Sequence, residues 1–163
     1  MVRVHIEKLT TVELARKACS FTTHGQIDSV MTLDKIYRCE HSPMRTQIFW
    51  IEMRGIPSFV STHLVRHKIG VESFVQTMRD DRGANEVANR LTEVNHAMLI
   101  NAQAVISMAR KRLCFKAHKE TRLLMEAIKE IMERVDRDLA LALVPECEYR
   151  GGVCHELKSC GRY

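Results

Sequence analysis

The chain has 163 residues, 45% of them apolar and 28% charged, the proportions of a globular domain with a buried core rather than of a disordered chain. Its longest stretch without a formal charge, Val94 to Ala109, holds Asn95, His96, Asn101, Gln103 and Ser107, so a bilayer span is not expected. Arg3, Glu7 and Lys8 leave no apolar block for a signal peptide, and the expected location is cytoplasmic. A net charge of +5 suits an anionic partner such as a nucleotide or phosphorylated cofactor, or serves only to keep the surface soluble.

In chain order, Val2 to Leu9 alternates as a strand does. Thr10-Thr11-Val12-Glu13 reads as a capping box that starts a helix reaching about Ser20. A second helix is expected from near Ser29, with Val30, Leu33 and Ile36/Tyr37 on one face, ending before the turn Glu40-His41-Ser42-Pro43. Gln47 to Met53 is β-branched and aromatic, hence a strand. Gly55 then turns the chain, and Pro57 opens a helix to about Val65. Ile69 to Arg82 shows no helical period and is expected to be extended, then looped. Two long helices follow. One covers Val87 to Leu113 on a stripe of Leu91, Val94, Met98, Ala102, Val105 and Ala109. The other runs from His118 to Leu143, with Pro145 as its stop. The expected architecture is α+β, a small mostly antiparallel sheet packed with two long C-terminal helices, over 1–145, followed by a cysteine-bearing tail at 146–163.

The densest cluster of chemically capable groups is His63-Leu64-Val65-Arg66-His67-Lys68, with Gln76, Thr77 and Arg79 downstream. Adjacent cations at a helix end repel one another and are relieved by an anionic ligand, although a solvated helix terminus tolerates them equally. Asn101 and Arg112 are eleven residues apart, so steps of about 100° return them to within about 20° of one helix face. That spacing lets one face touch two ligands.

Arg66-His67-Lys68, followed by Thr77 and Arg79, resembles the signature of the flavin-dependent thymidylate synthases: Arg-His-Arg, a short stretch, then Ser, one residue and Arg. Ile100-Asn101-Ala102 resembles that family's Val-Asn-Ala, and the turn at His41 and the strand Ile48 to Met53 keep its order. The resemblance implies reductive methylation of dUMP to dTMP, with methylenetetrahydrofolate and NADPH as co-substrates and FAD as cofactor. It implies that His41, Arg66, His67, Lys68, Asn101 and Ser107 hold FAD. It assigns His63, Arg66, Gln76, Thr77 and Arg79 to the nucleotide. Arg112 would favour the N3-deprotonated uracil, with Arg110 as the second choice. It also implies a homotetramer with shared active sites. Departures are plain: Lys68 replaces an arginine, Gln76 or Thr77 stands for the serine, Val75 stands near an expected glutamate, and the stretch before Asn101 is short. These fit a short, divergent, phage-like member and keep two alternatives open. One is dUMP hydroxymethylation on the same scaffold. The other is a non-catalytic nucleotide- or nucleic-acid-binding protein with a zinc-bound tail, nucleic acid being the less expected partner.

The six cysteines argue against a disulfide scaffold where no secretory signal is seen. Cys147, Cys154, His155 and Cys160 are a candidate zinc set, although no CxxC element supports it, and reduced thiols account for them as well.

Overall fold

The computed structural model describes residues 2–23, 31–83 and 88–163. Among the described residues, four strands form one antiparallel sheet: β1 (Arg3–Lys8), β2 (Ile48–Pro57), β3 (Val71–Val75) and β4 (Glu93–Asn101), in the spatial order β1-β2-β4-β3. Seven α-helices accompany it among the same residues: α1 (Val12–Thr22), α2 (Leu33–Cys39), α3 (Ser58–Leu64), α4 (Ala102–Arg112), α5 (Lys119–Val135), α6 (Arg137–Ala142) and α7 (Glu146–Tyr149). The α+β class with a small antiparallel sheet is as expected. No helix among the described residues is long and apolar enough to cross a membrane.

Alternation decides which sheet face is covered. Phe49, Ile51 and Met53 of β2 and Val94, Met98 and Ile100 of β4 are buried and pack with the apolar sides of α3, α4 and α5. Trp50, Phe74 and Leu99 lie on the opposite face, where Trp50 and Phe74 stack at 5.5 Å. Gly55, at φ 69°, sits within a register shift of β2 between Met53 and Ile56. It forms a bulge and does not turn the chain, so the strand carries on to Pro57.

Three corrections follow. The helix expected over Val87 to Leu113 is strand β4 followed by helix α4, and its first residue, Val87, lies outside the described residues. Val94 and Met98 satisfy both a helical and an alternating period, while Leu91, part of the supposed stripe, is 66% exposed. The helix expected from His118 to Leu143 breaks at Asp136, whose carboxylate accepts from Leu139 N at 3.0 Å and starts α6. The N-cap position of α1 is Thr11, one residue later than expected, and its side chain makes no capping hydrogen bond to the helix. Thr10 is used elsewhere: its hydroxyl donates to Thr46 O at 2.8 Å and accepts from Ile48 N at 2.9 Å, tying β1 to β2. The expected helix start at Ser29 and Val30 lies outside the described residues; α2 begins at Leu33, capped by Thr32.

One buried polar knot locks the layers. Asp136 accepts from Lys8 Nζ at 2.7 Å and from Tyr37 Oη at 2.8 Å, joining β1, α2 and the α5–α6 junction. Burial and the adjacent carboxylate push the Tyr37 phenol well above its usual range, so it stays a donor.

Candidate functional site

Strand β4 ends at Asn101, and the chain turns directly into α4 there. The Asn101 side chain accepts from Ala104 N at 2.9 Å, which fixes the start of the helix. Beside it, Asn101 N donates to Gly70 O at 3.0 Å. Gly70 has φ 75°, and a Cβ built on it would lie 2.3 Å from Asn101 Nδ2. Only glycine brings the segment after Lys68 this close to the α4 N-terminus.

The gap left between them is a cleft of about 780 Å³, within the range of small-molecule sites. Arg45, Arg66, His67 and Lys68 line one part of it, and Asn101, Gln103, Ala104 and Ser107 supply the helix side. Gln103 and Ser107 are one turn apart on α4, which is why both reach it. Arg45 Nε donates to Gln103 Oε1 at 2.5 Å. Among the described residues no carboxylate lines the cleft, and the N-terminal end of an eleven-residue helix adds partial positive charge. The arrangement suits a phosphorylated ligand.

Arg112 stands behind this wall. Its Nε donates to His67 Nε2 at 3.0 Å, and its terminal nitrogen donates to His63 O at 2.7 Å. Burial, then the Arg112 charge, hold His67 down to about 4, so it is a neutral acceptor at physiological pH. Burial and the neighbouring Arg66 charge also lower the Arg112 pKa, a sign of crowded guanidinium groups in a partly dehydrated place. His63 is itself lowered, by burial first and then by Arg112 and Arg66.

Five of the six residues assigned to the cofactor therefore line one cleft: Arg66, His67, Lys68, Asn101 and Ser107. His41 does not. It lines a separate, more apolar cavity of about 420 Å³ with Cys19, Cys39 and Pro43. Among the nucleotide residues, His63 and Arg66 adjoin Arg112. Gln76 instead accepts from Asn95 N at 3.0 Å and lines a cavity on the open sheet face. Arg79 forms a two-pronged ion pair with Asp81, at 2.9 and 2.7 Å, and Thr77 Oγ1 accepts from Arg79 N. Arg110 faces away: it pairs with Glu40 and lies 3.5 Å over the Tyr149 ring. The structure does not bring Arg79 or Arg110 to the cleft, because nearby carboxylates already neutralise both. Nor does any group of three or more His, Cys, Asp or Glu side chains among the described residues gather closely enough for a metal ion. Cys147, Cys154, His155 and Cys160 remain apart from one another in that sense.

Sequence reasoning missed Arg45, Ile69, Gly70, Gln103 and Ala104. Gln103 and Ala104 follow from Asn101 once the helix is started there instead of at Val87. Arg45 carries no local signal, since it comes from a 3-10 turn (Ser42–Thr46) far off in sequence.

No protein-family description and no curated protein matches the sequence. Among solved structures, thymidylate synthase X (ThyX) from Helicobacter pylori in complex with FAD and dUMP is similar with a TM-score of 0.68 and 16% identity, covering 88% of this chain and 99% of that one. A second structure of that enzyme with FAD and dUMP gives 0.66 and 15%, covering 86% and 99%. The UMP/dUMP methylase PolB from Streptomyces cacaoi, bound to 5-Br dUMP, gives 0.68 and 13%, covering 87% and 94%. The chain has the fold of the flavin-dependent thymidylate synthases.

Proposed function

We propose that this chain is a flavin-dependent enzyme that methylates dUMP, holding FAD in the cleft between Lys68–Gly70 and the α4 N-terminus and the nucleotide beside Arg112. The observation that carries the reading is the cleft itself: Arg45, Arg66 and Lys68 converge with a helix N-terminus, with no lining carboxylate among the described residues. The fold shared with two dUMP-binding enzymes supports the choice of ligands. When bound, FAD would supply the hydride that reduces a methylene unit delivered by methylenetetrahydrofolate, with NADPH as the source of electrons.

The chain's own residues act by binding and charge. Arg45, Arg66 and Lys68 hold the cofactor's phosphates, and Asn101, Gln103 and Ser107 offer polar partners along α4. Lys68 supplies a point charge where the family signature has a planar fork, so it fixes orientation less strictly. Arg112, held by His63 O and the neutral His67, keeps its guanidinium in place to favour a uracil anion. No nucleophilic side chain is needed; the protein orients the reactants. Ile69, 94% exposed beside the cleft, is apolar surface that a second copy would cover, in line with a homotetramer.

The direct test incubates the chain with dUMP, methylenetetrahydrofolate, FAD and NADPH and analyses the nucleotide by mass spectrometry. The reading expects a mass gain of one methyl group on the base. A hydroxymethyl product would assign the related transfer, and unchanged dUMP with a colourless protein would favour the non-catalytic binding module.

A further inference from the structure

Next to Arg112 stands a group of side chains outside the cleft, of which the resemblance assigns only His63. Phe59 of α3 is surrounded by basic groups. The His118 ring meets its edge at 4.6 Å and the His63 ring at 5.7 Å, and the Arg90 guanidinium lies 5.1 Å from its centroid. The two imidazoles are 6.1 Å apart. His63 is anchored by a 2.8 Å hydrogen bond between Nδ1 and the buried Thr121 Oγ1. Its backbone carbonyl takes the Arg112 donor, which brings Arg112 and Arg66 to the same place.

We infer that His63, Arg90 and His118, arranged around the Phe59 ring beside Arg66 and Arg112, form a second anion subsite that takes a phosphate monoester. Like charges this close repel, and the repulsion shows at His63, whose pKa is lowered by burial and then by Arg112, Arg66, His118 and Arg90. Among the described residues, Arg66, Arg90 and Arg112 have no carboxylate partner. Among the described residues the opposing charge paired with this group is Glu120, 2.6 Å from His118 Nδ1. A dianion placed among these groups relieves the repulsion and offers several acceptor oxygens. A phosphate monoester carries close to two negative charges at neutral pH. Phe59 adds an apolar floor that excludes water from one side.

The inference deepens the proposed function and rests on it for the identity of the ligand, the phosphate end of dUMP. It moves phosphate recognition from Thr77 and Arg79, which the signature implies, to side chains contributed by α3, α5 and the segment before β4. The departure has a physical reason. Asp81 already engages two guanidinium nitrogens of Arg79, whereas Arg90 has no carboxylate partner among the described residues.

The test is an NMR titration of the His63 and His118 imidazole signals against pH, with inorganic phosphate and separately with dUMP, in protein with and without FAD. Bound phosphate should raise the His63 midpoint by about one pH unit or more. Arg90→Gln and His118→Gln should weaken dUMP binding by roughly tenfold each while leaving deoxyuridine binding unchanged. No shift with either ligand overturns the subsite, as does equal weakening of dUMP and deoxyuridine in both variants. A shift with phosphate in a chain that binds no flavin keeps the subsite and removes the flavin reading. Flavin binding without any shift does the reverse. The titration of the unsubstituted protein decides the matter even if a variant fails to fold.

Discussion

At the scale of single residues, the site depends on groups whose protonation and backbone conformation are set by close neighbours. Gly70 is one. Its positive φ and the 2.3 Å approach that a Cβ would make to Asn101 mean that Gly70→Ala strains the backbone and dislodges the cap of α4. The combined cost should be about 2 kcal/mol, read as a lower unfolding midpoint, together with weaker flavin uptake. His96 is another. It is 1% exposed, shares a 3.1 Å hydrogen bond with Ser61, and leaves Nε2 buried without a partner. Burial holds its pKa at about 4, below the ordinary value of 6.5. Because the folded value is the lower one, the neutral form favours folding, and its contribution is complete above pH 6.5. That contribution falls away as pH drops toward 4 and amounts to about 3 kcal/mol in all. Denaturant unfolding between pH 7.5 and 4.5, chosen to bracket about two pKa units of this window, should show stability declining with acid. His96→Leu should flatten that decline. An equal slope in the variant would mean that other groups, such as His67, carry the whole effect.

At the scale of elements, the strand-to-helix junction at Asn101 and the break at Asp136 do most to position the site. The sequence suggested Asn101 and Arg112 on one helix face; in the structure they stand at opposite ends of α4, Asn101 lining the cleft and Arg112 bonded to His67, which also lines it. What stayed illegible was the element around Asn101. His96 points inward among apolar neighbours, and taking it as an outward polar residue hides the alternation of Val94, Met98 and Ile100. Strand β2 as far as Met53, the helix after Pro57 and the extended segment after Ile69 were legible because β-branched residues and proline mark them locally. Long-range partners such as Arg45 with Gln103, or Lys8 and Tyr37 with Asp136, leave no local mark. That last knot gives an element-scale prediction. Asp136→Ala removes the acceptor for both Lys8 and Tyr37 and the cap of α6. The buried phenol and the partly exposed ammonium are then unpaired, and the loss should be about 3 kcal/mol. Thermal unfolding of the variant checks it; a midpoint within a few degrees of the parent would contradict the assigned role.

At the scale of the whole molecule, positive charge is sorted rather than spread. Arg38, Arg54, Arg79, Arg110 and Arg150 are each paired with a carboxylate. Among the described residues, Arg66, Arg90 and Arg112 are not, and they gather with Arg45 and Lys68 at or beside one cleft. An anionic ligand would supply the charge that these groups lack. The measurement that tests this most directly is an equilibrium titration with FAD, followed by flavin absorbance near about 450 nm. It compares the parent chain with Arg66→Ala and with the paired surface control Arg79→Ala. Saturable binding by the parent, roughly tenfold weaker in Arg66→Ala and unchanged in Arg79→Ala, is the predicted result. A parent chain that takes up no flavin, or one whose affinity ignores Arg66, would contradict it.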